Sequence, residues 1–271
     1  MTTADPHAPN AVMVGRRDLN ARVAIIHVRP DSGAIEPFVP GQFVQLGLPA
    51  DSDRARTGNE GVTRTKLVRR SYSIASAPHQ SETYELCVAL VPGGLVTPRL
   101  FRLGVGDRLW HDAAPKGKFT LERVPYGVNL VLVATGTGIA PFVSMLRTQA
   151  SDRLRWPRIV VVHGVREQSD LAYREELATA ARADARIAYV PVLSREPRGS
   201  TWNGLRGHVQ LALEPACFQS RAGFVLEASN SHVLLCGNPT MIDDLRVRLG
   251  ERGFATDTPR TPGNVHFERY W

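Results

Sequence analysis

Cysteine, lysine and long apolar runs are all scarce in this chain. Its 271 residues include three cysteines, Cys87, Cys217 and Cys236, far apart and with no CxxC pair. That excludes a cysteine-held zinc site or iron–sulfur cluster, and an odd, small count argues against a disulfide framework. No metal is expected. No apolar run approaches the ~20 residues of a membrane span. Residues Met1 to Asn10 are polar, and the apolar cluster Ala11 to Val14 is too short for a signal-peptide core. A soluble, cytoplasmic protein that does not engage membranes is expected. Lysine occurs only at Lys66, Lys116 and Lys118, so nearly all of the 33 basic residues are arginine; against 26 acids they leave a net charge of +7. Such an excess suits a phosphate-bearing cofactor, an acidic protein partner or nucleic acid. No nucleic-acid motif is present, so nucleic acid is not expected as a partner.

What is present is ordinary globular material, 43% hydrophobic and 22% charged, in a length that suits two modest domains. From Val12 to about Arg123 short alternating runs (22–28, 42–48, 70–75, 84–91) are broken by Gly and Pro, the pattern of an antiparallel barrel or sandwich. From Gly127 onward, apolar strands (129–134, 158–165, 186–193, 232–236) alternate with helical stretches (141–149, 170–183, 241–252). That alternation predicts a parallel sheet with helices on both faces. The boundary is expected near Pro125-Tyr126-Gly127, giving domains 12–125 and 127–271. Residues 51–66 are polar without hydrophobic period and read as a loop.

Two motifs suggest anion and ring binding. In Leu132-Val133-Ala134-Thr135-Gly136-Thr137-Gly138-Ile139-Ala140-Pro141 an apolar strand runs through two glycines directly into a helix. Glycine lets the backbone approach a ligand closely, and the helix start offers unpaired N–H groups to a phosphate. In Arg70-Ser71-Tyr72-Ser73 a guanidinium able to fork onto phosphate stands beside a ring able to stack. The same residues also suit an unliganded turn and a surface strand.

The ordered set decides between these. Phe38 to Val44, Arg70 to Ser76, Val91 to Pro98, Thr135 to Pro141 and Cys236-Gly237-Asn238-Pro239-Thr240-Met241 occur in sequence, with Tyr270-Trp271 at the end. This set resembles the bacterial type of the ferredoxin–NADP reductase (flavodoxin/ferredoxin–NADP reductase) family over roughly residues 12 to 271. The resemblance implies an antiparallel β-barrel flavin-binding domain of six strands, followed by an α/β parallel-sheet nucleotide-binding domain. It implies FAD and NADP(H) as cofactors, and ferredoxin or flavodoxin, acidic electron-transfer proteins, as partners of a monomeric enzyme. By the same resemblance, Arg70 pairs with the FAD pyrophosphate, neighbouring Ser71 is a further cofactor-binding candidate, Tyr72 packs on the isoalloxazine, and Ser73 reaches flavin N5. Leu95, Val96 and the Thr97 hydroxyl hold the pyrophosphate at a short helix. Tyr270 and Trp271 cover the flavin or its adenine. Thr137 and Gly138 meet the nicotinamide nucleotide, and Cys236, with Gly237 and Asn238, shapes the nicotinamide pocket. Arg166 and Arg195 fall just past strand ends and are candidate contacts to the 2′-phosphate, and Ser194 beside Arg195 is a further cofactor-binding candidate. Glu268 is a weaker candidate for proton handling.

One departure stands out. Where family members often carry a further Arg, this chain has His208, with Arg206 two residues before it. Neutral His is a poorer phosphate ligand than Arg near pH 7. Either Arg206 compensates or the NADPH preference is weaker; a preference for NADPH is expected to persist. For the acidic partner, Arg54, Arg56, Arg64, Lys66 and Lys116 form the expected patch. Two other readings remain at this stage: a reductase component serving another acceptor, such as an oxygenase, and a non-enzymatic flavin-binding sensor.

Overall fold

The structure, a computed structural model, describes residues 7–50, 67–79, 82–112, 114–148 and 155–270. The polar segment 51–66, which carries Arg54, Arg56, Arg64 and Lys66, lies outside the described residues, as does Trp271. The chain divides into two compact units, Met1–Lys118 and Phe119–Trp271.

The first unit is a six-stranded antiparallel barrel. Its strands are β1 (Ala11–Asp18), β2 (Val23–Pro30), β3 (Phe43–Pro49), β4 (Leu67–Ser73), β5 (Tyr84–Ala89) and β6 (Arg108–His111), in the order β4-β3-β6-β1-β2-β5. An antiparallel bridge between Ile74 and Leu86 joins the two outer strands and closes the ring. The alternation read in the sequence is the packing pattern. Met13, Val44, Leu46, Tyr84, Leu86 and Val88 point inward at every second position and form one buried cluster. A single short helix, α1 (Thr97–Leu100), lies between β5 and β6 and buries Leu100.

The second unit is a parallel sheet in the order β10-β9-β8-β7-β11-β12. Its strands are β7 (Asn129–Thr135), β8 (Ile159–Val165), β9 (Ile187–Leu193), β10 (Leu205–Arg206), β11 (Ser231–Gly237) and β12 (Val265–Arg269). The helices are α2 (Ala140–Thr148), α3 (Arg174–Ala183), α4 (Val209–Leu213), α5 (Pro215–Ala222) and α6 (Pro239–Gly250). β8 is buried along its whole length, as expected of a strand covered on both faces. One face packs Val131, Val162 and Leu235 against residues of α4 to α6 such as Ala212, Phe218 and Ile242.

Three boundaries differ from the sequence expectation. The units part at Lys118 and Phe119, before the Pro125–Gly127 turn. Phe119 and Phe142 have ring centroids 5.9 Å apart, and the Arg155 guanidinium donates to the Leu121 and Val124 carbonyls, so residues 119–124 pack with the second unit. The helix expected from Asp170 starts at Arg174, because Tyr173 is left-handed (φ 59°) and holds no helical turn. The last helix starts at Pro239, earlier than Met241. The Asn238 side chain caps it by accepting from the N–H groups of Thr240 and Met241, and Pro239 suits the first helical position.

Buried histidines tie stability to pH. Burial pushes His163 down to about 4, against a weaker upward pull from its bond to Gly136. His232 is also pushed down to about 4, by burial and by neighbouring His266, while Asp257 opposes both. His232 meets His266 at 3.0 Å, His266 meets Asp257 at 3.4 Å, and Asp257 is held in turn by Arg123 at 2.8 Å. A folded-state value below the ordinary 6.5 means that the unfolded chain binds more protons between pH 6.5 and about 4. Stability is therefore complete above pH 6.5 and falls across that window. For fully buried His163 the loss is on the order of 3 kcal/mol. The urea midpoint is expected to drop as pH falls from 6.5 towards 4, and His163→Gln to flatten the slope. A wild-type midpoint that is level across that window would contradict this.

Candidate active site

In the barrel, β4 carries the first group of candidates. It pairs with β3 so that Val44 faces Tyr72 and Phe43 faces Ser73. Tyr72 packs its ring against the barrel core. Its hydroxyl is buried without a hydrogen-bond partner among the described residues, and burial, partly offset by Arg70, pushes its pKa up. A buried hydroxyl left unpaired costs about 1–3 kcal/mol, so this position fits a bound group that brings a polar atom to it. Ser73 is buried at the strand end, whereas Arg70 and Ser71 are exposed. The Arg70 guanidinium donates back to the Arg69 carbonyl at 2.8 Å.

The second barrel element is the turn from Val91 to Thr97. The Thr97 hydroxyl accepts from the Val91 N–H (2.9 Å) and donates to the Val91 carbonyl (3.3 Å). It therefore clasps the turn. Pro98 has no N–H, and the Arg99 and Leu100 N–H groups both donate to the Val96 carbonyl (3.0 and 2.9 Å), so at the start of α1 a pyrophosphate is left the Thr97 N–H. Val96 is buried and Leu95 is exposed. The exposed Arg70 guanidinium and the Thr97 N–H suit a pyrophosphate, and the unpaired Tyr72 hydroxyl suits a planar polar ring, so the barrel residues fit FAD.

In the second unit the strand order reverses between β7 and β11. Open α/β sheets bind ligands at the carboxyl ends of the strands flanking such a point. Here the backbones close up. A Cβ on Gly138 would lie 2.5 Å from the Cys236 carbonyl oxygen, and one on Gly237 (φ 129°) would lie 2.3 Å from the Thr135 hydroxyl. The Asn238 N–H donates to that hydroxyl at 2.9 Å. Thr137 and Gly138 are buried in the tight turn before α2.

Cys236 is the penultimate residue of β11 and is fully buried. Burial and then Glu268, its partner in register on β12, push the thiol well up, against a hydrogen bond from the Tyr270 side chain. Near neutral pH it is a protonated thiol, which shapes a surface and is not a nucleophile. The Tyr270 N–H donates to the Gly237 carbonyl at 2.9 Å, fixing the chain end to this strand.

The phosphate candidates fall at neighbouring strand ends. The Arg195 N–H donates to the Arg166 carbonyl at 2.8 Å, which sets the two arginines side by side past β8 and β9. Both are exposed, and among the described residues neither guanidinium has a side-chain hydrogen bond or ion pair. The Ser194 hydroxyl is engaged with the Val165 carbonyl at 3.2 Å. His208 is exposed immediately before α4. Arg206 is not presented in the same way: its four terminal N–H groups go to the carbonyls of Glu196, Pro197 and Trp202 and to the Ser200 hydroxyl, at 2.9–3.1 Å.

A pair that sequence reasoning missed lies beneath the glycine turn. His163 Nε2 is 3.0 Å from the Gly136 carbonyl, and the Tyr189 hydroxyl is 3.4 Å from Nδ1. Gly136 is left-handed (φ 56°), and His163 pins its carbonyl. The available signal was a lone imidazole in the run Val160-Val161-Val162-His163.

An FAD-suited barrel and a nucleotide-suited switch point define a two-domain flavin- and pyridine-nucleotide-dependent oxidoreductase. Comparison with known proteins agrees. Residues 37–121 match the oxidoreductase FAD-binding domain and residues 132–246 the oxidoreductase NAD-binding domain. The flavodoxin/ferredoxin–NADP reductase of Escherichia coli (strain K12) is 33% identical over 239 residues, covering 87% of this chain and 88% of that protein. Ferredoxin–NADP reductase B of Sorangium cellulosum is 35% identical over 271 residues, covering 100% of both. The crystal structure of a ferredoxin NADP+ reductase from Neisseria gonorrhoeae with bound FAD and NADP superposes with a TM-score of 0.81 at 25% identity, covering 97% of this chain and 98% of that one. The chain belongs to the flavodoxin/ferredoxin–NADP reductase family. Among the described residues no helix is long and apolar enough to cross a membrane, and no cluster of His, Cys, Asp or Glu could hold a metal.

Proposed function

We propose that this chain is an FAD-dependent reductase that moves hydride between NADPH and its flavin and passes single electrons to or from ferredoxin or flavodoxin. The observation that carries the choice of NADPH is the pair of uncommitted guanidinium groups, Arg166 and Arg195, side by side at the carboxyl edge of the sheet. Guanidinium forks suit a phosphate monoester, and the 2′-phosphate is what separates NADPH from NADH. Bound FAD supplies the link between a hydride donor and a one-electron acceptor.

The chain's own residues bind and orient. Arg70 and the Thr97 N–H hold the FAD pyrophosphate. Tyr72 lies against the flavin ring and Ser73 serves its N5 edge. Thr137 and Gly138 bring the backbone to the nucleotide pyrophosphate or ribose. Cys236 walls the nicotinamide pocket with a protonated thiol, and Tyr270 is held beside it. His208 is the third group at the phosphate. The acidic partner is met by basic surface. Within the expected patch, described Lys116 is already paired with Asp112 at 2.5 Å, which leaves steering mainly to arginines.

The test is anaerobic mixing of the purified protein with NADPH or NADH while flavin absorbance is followed, then mixing of the reduced protein with flavodoxin. Faster bleaching by NADPH, and reoxidation that slows as ionic strength rises, are expected. Flavin that resists both nucleotides would overturn the enzyme reading, and equal bleaching by the two would overturn the choice of NADPH.

A further inference from the structure

We propose that Arg206 is a positioning residue for nucleotide discrimination: it ties the 194–206 segment into a knot that presents Arg195, and does not itself touch the phosphate. The inference rests on the reading that Arg166 and Arg195 hold the 2′-phosphate.

The segment leaves β9 after Leu193 and returns as β10 at Leu205. Left to itself, a connection of this length carrying Pro197, Arg198, Gly199 and Ser200 would be loose, and ordering it on binding would weaken affinity. Three ties hold it. Arg206 Nη1 donates to the carbonyls of Glu196 and Pro197, both at 3.0 Å, while Nη2 donates to the Ser200 hydroxyl (3.1 Å) and the Trp202 carbonyl (2.9 Å). All four terminal N–H groups are used within the segment, so none is left to fork onto a ligand. Trp202 is the second tie. Its Nε1 donates to the Leu205 carbonyl at 3.1 Å, and it packs against Val165, Leu171 and Leu193 at the sheet edge. Gly204 makes room for it, since a Cβ there would lie 2.5 Å from the indole. The third tie is Glu196, whose carboxylate accepts from the Gln168 N–H at 2.9 Å and so anchors the segment to the chain just after Arg166. Arg195 immediately precedes the residue held at both ends, by Arg206 through its carbonyl and by Gln168 through its side chain. Its own N–H is fixed to Arg166.

Loosening the knot should penalise only the ligand that uses Arg195. Arg206→Ala is expected to raise KM for NADPH at least fivefold, to shift KM for NADH less than twofold, and to leave kcat with each nucleotide within twofold. Arg206→Lys separates geometry from charge. An ammonium has three donors on a flexible stem and cannot span four acceptors, so a knot predicts that Lys behaves like Ala, whereas a direct phosphate contact predicts that Lys restores most of the NADPH affinity. Trypsin gives a second reading of the same variants, because the exposed Arg198–Gly199 bond should be cut faster once the knot is released. Arg195→Ala is the control. If it shifts the NADPH/NADH ratio and both Arg206 variants do not, the positioning role is wrong while the phosphate reading stands. If Arg195→Ala leaves the ratio unchanged, the phosphate reading itself fails. Rescue by Lys, equal KM shifts for both nucleotides, or unaltered cleavage at Arg198 would each overturn the proposal.

Discussion

Gly138→Ala is expected to cut NADPH-dependent flavin reduction at least a hundredfold while FAD content stays near that of the wild type. The added methyl would sit 2.5 Å from the Cys236 carbonyl oxygen and 2.8 Å from its carbon. Both are backbone atoms of a central strand, so relief must come from parting β7's turn from β11. That separation is where the nucleotide's phosphates and nicotinamide are proposed to lie. Overpacking of this kind costs about 1–3 kcal/mol in stability. A displacement of about 1 Å at a site that works by positioning is worth about two orders of magnitude in rate. Stopped-flow reduction by NADPH, set beside reduction by dithionite, checks this: dithionite needs no nucleotide site and should reduce the variant normally. Loss of both activities would mean that the barrel had failed as well, and near-normal NADPH reduction would mean that the turn yields easily.

The second large effect concerns specificity. Arg166→Ala combined with Arg195→Ala should lower kcat/KM for NADPH by at least a hundredfold relative to that for NADH. A charge-assisted contact from each guanidinium contributes about 1.5–3 kcal/mol, and each factor of ten needs about 1.4 kcal/mol. Because both side chains are exposed and uncommitted, their removal leaves no buried acceptor unpaired, so folding should be little affected. The NADPH/NADH ratio of kcat/KM, measured for each single variant and for the double, reads the effect directly. A ratio unmoved in the double variant would send the phosphate elsewhere on the sheet edge.

The architecture was legible because its two halves obey different periods. Val44, Leu46 and Leu48 alternate inward in β3, while β8 is apolar throughout, and no other pair of patterns separates a barrel from a covered parallel sheet so directly. The domain boundary was less legible. Pro125 and Gly127 punctuate the chain, but the division is set by where Phe119 and Leu121 pack, and a local turn signal carries no information about distant partners. Placement was legible where it follows from the strand pattern alone, as with Arg166 and Arg195 just past their strands. It was illegible where the question is what a donor is already doing. Nothing in Gly204-Leu205-Arg206-Gly207-His208 announces that the Arg206 fork closes on four acceptors of its own loop. Thr97 poses the same difficulty, its hydroxyl being turned to Val91. His163 was hidden because one polar residue in a valine run reads as an interruption, whereas in three dimensions its ring reaches the carbonyl of a left-handed glycine.

The cysteines have a practical consequence. Burial and Glu268 hold the Cys236 thiol protonated, and Cys87, also buried, is pushed up to about 12. Peroxides and alkylating agents react with exposed thiolates, so neither residue offers them a target in the folded protein. Cys217, half-buried on α5, is left as the thiol accessible to reagents. A fluorophore or spin label attached there would report on the parallel-sheet unit from a helix away from the switch point. The wild-type sequence thus carries its own labelling handle, with no need to engineer cysteines away from the nucleotide site.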